Sequence, residues 1–150
     1  MSAAQNANTY LKTQIGTASR EQLLLMLYDG AIRFSEQGKA LLGEKDLEGA
    51  HGVFVRAQNI VLELLYSLNR EETGGQEIVN NLTALYTYIY TRLVEANIYK
   101  DTARIDEAVR LLRSLRDAWA EAVDNLRKDG VKGTVGVPGD IKGGGLSLQG

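Results

Sequence analysis

The sequence predicts an all-α fold, an antiparallel up-down four-helix bundle, and three observations carry that prediction. Only one proline, Pro138, occurs in 150 residues, so long stretches between residues 19 and 129 lack strong helix breakers. Two of those stretches place apolar residues at alternating spacings of three and four, the seam of a helix packed against other helices. Short polar or glycine-bearing turns separate four segments of similar length, and helices joined that way return alongside one another.

The first helix is expected from Ser19, with Gln22 three residues later as a capping box, to about Leu42, with Gly43 as its stop. Asp46 is a good N-cap for the second helix. The second helix carries the seam Leu47, Ala50, Phe54, Ala57, Val61, Leu64 and Leu68. Residues 69–75 form the next turn. The third helix runs from about Gln76 to Tyr99, with Ile78, Leu82, Leu85, Ile89, Leu93 and Ala96 inward. Asp101 or Thr102 caps the fourth, whose seam is Ile105, Ala108, Leu112, Leu115, Trp119, Ala122 and Leu126, ending at Gly130. Helices of this length extend about 35 Å.

Two ends fall outside the bundle. Residues 1–18 form an N-terminal arm with Tyr10, Leu11 and Ile15 as its large apolar residues. Residues 130–150 hold eight of the 16 glycines and little apolar area to offset ordering entropy, so a flexible Gly-rich C-terminal tail is expected. The domain reading is thus arm 1–18, bundle 19–129 and tail 130–150.

Composition excludes several function classes. Net charge is −2, with 17 basic and 19 acidic residues interleaved, so no basic stripe recommends nucleic acid as a partner. No apolar run approaches the ~20 residues of a membrane span, so no membrane insertion is expected. The first residues lack the basic and apolar regions of a signal peptide. There is no cysteine. A cytoplasmic protein is expected.

Nothing points to catalysis. Glu48-x-x-His51 resembles half of a di-iron motif, but His51 is the only histidine, so the second pair required cannot exist. The triple glycine at residues 143–145 follows no strand and opens no helix, so it is no phosphate loop. We expect no enzyme, no metal and no cofactor.

What remains is surplus apolar surface. Leu23, Leu24, Leu25, Met26, Leu27 and Tyr28 are consecutive, and at 100° per residue they point all the way round the first helix. A surface helix keeps one apolar stripe. Cover is therefore needed on a second side, from the arm, another subunit or a foreign helix. Val53, Ile60 and Leu65 lie beside the second seam, either widening the core or, with the third helix, flooring an apolar groove. Tyr86, Tyr88 and Tyr90 point in different directions, so at least one is expected on a groove or flank, as rim packing or as partner surface. Arg92 falls at a seam position, its head expected to reach solvent or a neighbouring carboxylate.

Several patches resemble one family. Thr17-Ala18-Ser19 and Leu25-Met26-Leu27-Tyr28-Asp29-Gly30-Ala31 are similar to the opening of the flagellin export chaperones, the FliS family. The resemblance continues through Ala57-Gln58-Asn59-Ile60, Leu68-Asn69, Leu85-Tyr86-x-Tyr88, Arg92-Leu93-Val94-Glu95-Ala96-Asn97 and Leu115-Arg116-Asp117-Ala118-Trp119. One departure is Arg20, where family members commonly carry proline. The resemblance implies a small cytoplasmic bundle that binds the disordered C-terminal segment of flagellin as helices and prevents premature polymerisation. It further implies delivery to the gate of the flagellar type III export apparatus, without ATP. It also points to an arm that lies over the partner surface and is displaced on binding. Gln58, Asn59 and Asn97 lie within matched motifs, either bonding backbone at helix crossings or setting the register of the incoming segment. The candidate partner-binding residues are Tyr10, Ile15, Met26, Val53, Gln58, Asn59, Ile60, Leu65, Tyr86, Tyr90 and Asn97. A monomer or weak homodimer is expected for such a chaperone. The competing expectation is a structural subunit whose surplus apolar face makes a permanent homo-oligomer.

Overall fold

The computed structural model describes residues 19–70 and 75–128. They form four α-helices: α1 (Arg20–Gly43), α2 (Leu47–Arg70), α3 (Gln76–Tyr99) and α4 (Thr102–Lys128). The helices pack as a square, α1 against α2 and α4, and α3 against α2 and α4. The arm and the tail, including Tyr10 and Ile15, lie outside the described residues.

The expected helix starts hold in detail. Ser19 and Gln22 close a reciprocal capping box, the Gln22 N–H donating to Ser19 Oγ at 3.2 Å and the Ser19 N–H to Gln22 Oε1 at 3.0 Å. Asp46 caps α2 through the Gly49 N–H at 2.9 Å, and Asp101 caps α4 through the Ala103 N–H at 2.9 Å. α3 starts after Gly75 without a side-chain cap.

The end of α1 differs from expectation. The helix continues through Gly43, and Lys45 takes the left-handed conformation at φ 63°. The Lys45 N–H donates to the Leu42 carbonyl and the Asp46 N–H to the Leu41 carbonyl, the two bonds of a Schellman turn. α3 closes similarly, with Lys100 at φ 55° and the Asp101 N–H donating to the Ala96 carbonyl. Twice, lysine holds a position that usually goes to glycine.

Most seam residues are fully buried: Ala50, Phe54, Ala57, Val61 and Leu64 of α2, Ile78, Ile89 and Leu93 of α3, and Ile105, Ala108 and Leu112 of α4. Leu47, placed in the α2 seam by its spacing, is 53% exposed instead. It is the first residue of its helix and sits about 60° from Ala50 on the helical wheel, past the end of the packed core. Leu115 and Leu85 are only half-buried.

Tyr86 replaces Leu85 in the core. It is 2% exposed, and its hydroxyl hydrogen-bonds that of Tyr28. Tyr28 Oη also accepts from Trp119 Nε1 at 3.0 Å. Sequence spacing allows either Leu85 or Tyr86 in the seam; hydroxyl partners from α1 and α4 favour Tyr86, because a buried O–H without one is costly. Trp119 is 4% exposed, as its seam position predicts. Burial pushes the Tyr28 hydroxyl well above its usual pKa and that of Tyr86 up to about 12.

Two glycines let α1 and α2 approach closely. A side chain at Gly38 would overlap the Phe54 ring, and a Cβ at Gly30 would sit 3.1 Å from Ile60 Cδ1.

Candidate partner-binding surface

Three contacts fix how α2 is turned. On one side, Ile60 lies over Gly30 and the Arg56 guanidinium lies 5.6 Å from the Phe34 ring centre, so this side faces α1. On the other, Asn97 Nδ2 donates to His51 Nδ1 at 2.9 Å, so that side faces α3. At 100° per residue, Val53 falls with Ile60 toward α1, while Gln58 and Leu65 fall with His51 toward α3. The expected single groove of Val53, Ile60 and Leu65 is therefore divided between two helix crossings.

On the α1 side, Met26, Val53 and Ile60 are all half-buried. Ile60 packs on the core, whereas Met26 and Val53 lie outside the packed set. On the α3 side, Gln58, Leu65 and Tyr90 are half-buried, and Leu65 and Tyr90 rest on the core edge. Moving seven residues on from His51 and seven back from Asn97 brings Gln58 level with Tyr90, as antiparallel helices require. Asn59 points outward and is exposed.

Two candidates are not free to meet a partner. Tyr86 is sealed in the core by its bond to Tyr28. Asn97 is 8% exposed and its amide is occupied, Nδ2 by His51 and Oδ1 by Lys100 Nζ at 3.3 Å. It bonds side chains across α2 and α3 rather than the backbone.

Sequence reasoning missed the outward arc itself. Val55 and Leu62 of α2 and Val94 of α3 point away from the square, are half-buried and lie outside the packed core set. Tyr66 and Ile98 on the same arc are 53% and 64% exposed. The signal was present: Val55 and Leu62 are seven apart on the face opposite the seam, where a bundle helix ordinarily carries charge.

The faces of α4 contrast with this. Three ion pairs step along the α1–α4 crossing: Lys39 to Asp106 at 2.7 Å, Glu36 to Arg113, and Asp29 to Arg116 at 2.9 Å. Arg92 pairs within α3 with Glu95 at 3.0 Å and reaches across to Glu107 of α4 at 3.8 Å, with its guanidinium over the Tyr88 ring. Its stem packs and its head finds carboxylates, as expected. Tyr88 donates to Glu107 at 2.6 Å. Charge clothes the α4 side; apolar surface clothes α2 and the adjoining part of α3.

Among the described residues no cluster of His, Asp and Glu has metal-binding geometry, and no helix is long and apolar enough to cross a membrane. His51 is exposed and engaged by Asn97.

The described bundle thus carries charged pairs on two crossings and an apolar arc on α2 and α3. Residues 2–126 match the family described as flagellar protein FliS. The chain belongs to the FliS family. It is 37% identical over 128 residues to the flagellar secretion chaperone FliS of Bacillus subtilis, covering 85% of this chain and 93% of that one. It is 29% identical over 127 residues to the Escherichia coli flagellar secretion chaperone FliS, covering 82% and 93%. The Campylobacter jejuni chaperone of the same name is 32% identical over 118 residues, 79% of this chain and 91% of that one. FliS is a family of chaperones in flagellar protein export, not of enzymes. The FliS match begins at residue 2, so it takes in Tyr10 and Ile15 as well as the helices.

Proposed function

We propose that this chain is the chaperone of flagellin in the cytoplasm. It binds the disordered C-terminal segment of flagellin, which folds into helices against the bundle, and thereby prevents premature polymerisation. It then brings the bound subunit to the gate of the flagellar type III export apparatus. The observation that supports this reading best is the apolar arc of Val55, Leu62, Tyr66, Val94 and Ile98, flanked by Leu65 and Tyr90. An amphipathic helix lays its apolar face on such a surface. A segment that folds on binding can cover both crossings of α2, at the expense of its own ordering entropy.

The test is binding of purified chain to a C-terminal fragment of the flagellin from the same cell. Leu62→Asp is the informative variant, because Leu62 lies outside the packed core, so its substitution is expected to leave the fold intact. We expect affinity to fall at least about tenfold, or 1.4 kcal/mol, with helicity unchanged. A folded variant that binds normally overturns the assignment of this face. Ile60→Asp is a poorer probe, because Ile60 packs over Gly30 and its loss would disturb the α1–α2 crossing.

A further inference from the structure

The outer surface of α1 and α2 carries a second feature, whose packing orients α2 but whose charge the described residues do not pair. Phe34 is half-buried, with the Arg33 guanidinium 5.1 Å and the Arg56 guanidinium 5.6 Å from its ring centre. Both arginines are exposed, and among the described residues neither has a carboxylate partner. In a chain of net charge −2, with interhelical ion pairs along both faces of α4, two cations at one ring with no carboxylate partner among the described residues are out of pattern. Guanidinium planes held over a ring are oriented to receive a carboxylate at their edges.

Gly52 is one turn before Arg56 on the same face. A glycine inside a helix is destabilising relative to alanine, so its retention asks for a reason. At Gly30, Gly38 and Gly49 the reason is internal: a side chain would meet Ile60, the Phe54 ring and the capping Asp46 carboxylate. At Gly52 a Cβ would meet nothing within 4 Å. The space it leaves is outside the bundle, where another backbone can come close.

We infer that Gly52, Arg33, Phe34 and Arg56 form a subsite for an acidic residue of the client's helical segment, whose backbone passes over Gly52 while its carboxylate pairs with the guanidinium charge held at the Phe34 ring. This rests on the proposed binding of a flagellin segment and adds the chemistry that sets its register. Charge complementarity selects a foreign segment over the N-terminal arm, because residues 1–18 contain no aspartate or glutamate.

The experiment uses the full chain and the flagellin C-terminal fragment as probe. Arg33→Glu with Arg56→Glu should weaken binding at least about tenfold and flatten its salt dependence. Gly52→Leu should weaken binding while raising the melting midpoint, a combination that a merely structural role cannot give. Equal binding by wild type and both variants overturns the subsite and leaves the chaperone reading standing. Failure of the wild type to bind the fragment overturns both. If the double variant and deletion of residues 129–150 lower the melting midpoint of the free chain non-additively, the tail occupies the site and the inference fails. It fails equally if light scattering shows that the double variant dissociates a dimer, since the occupant is then a second copy.

Discussion

Three aromatic residues from three helices meet in the core, and their polar ends decide how the residue scale behaves. Trp119 donates to Tyr28, and Tyr28 and Tyr86 share a bond. Trp119→Ala should cost roughly 3–5 kcal/mol, since it removes a large buried side chain as well as a buried donor. Trp119→Phe should cost less, because most of the packing stays. A melting midpoint unchanged by Trp119→Ala would show that the core does not depend on this contact. Burial also links the pair to pH. Tyr86 has a folded-state pKa of about 12 against about 10 when unfolded, so the folded state holds its proton where the unfolded state has lost it. The stabilisation is complete below pH 10 and is lost as pH rises from there through 12. The steepest contribution is about 1.4 kcal/mol per pH unit for one proton. Tyr86→Phe should therefore shallow the fall in melting midpoint between about pH 9.5 and 11.5, although it lowers the midpoint at neutral pH.

Lysine at the two left-handed helix ends makes a prediction at the scale of the element. Lys45 and Lys100 sit at φ 63° and 55°, a region that costs a residue with a Cβ about 1 kcal/mol and glycine almost nothing. Lys45→Gly should stabilise the chain by up to about 1 kcal/mol, read from the midpoint of urea unfolding with no change in slope. Helix number, order and starts were legible in the sequence because caps and seam spacing are local signals. Ser19, Asp46 and Asp101 act as their residue types predict. Gly43 is not the stop its residue type suggests, because the turn forms two residues later, on a lysine that no composition rule favours. Tyr86 over Leu85 was not legible either. Both are consistent with the α3 seam, and the choice rests on hydroxyl partners from distant parts of the chain. The candidate surface was legible as surplus apolar area but not in its division. Whether Val53 and Leu65 share a groove depends on how α2 is rotated, and that is set by Gly30, Phe34 and Asn97 on other helices.

At the scale of the whole molecule, an apolar arc on α2 and α3 must be reconciled with the expectation of a monomer or weak homodimer. Exposed apolar patches of this kind promote self-association. The proposed solution is that residues 1–18 cover the arc when no client is bound. Leu11 and Ile15 are four apart, so one helical turn would bring them onto one face, with Tyr10 beside them. A cover that competes with the client lowers apparent affinity by the fraction of time it is closed. Deleting residues 2–15 should thus raise dye binding or self-association, measured by light scattering at two concentrations, while the client on-rate increases. A chain that remains a fixed oligomer on dilution, with or without the arm, would instead be a permanent assembly subunit. Hydrogen exchange separates the cover from a direct contact. If the arm competes, client binding deprotects residues 10–15 as it protects α2. Should those residues become more protected in the complex, Tyr10 and Ile15 belong to the binding surface and the arm closes over the client rather than in its place.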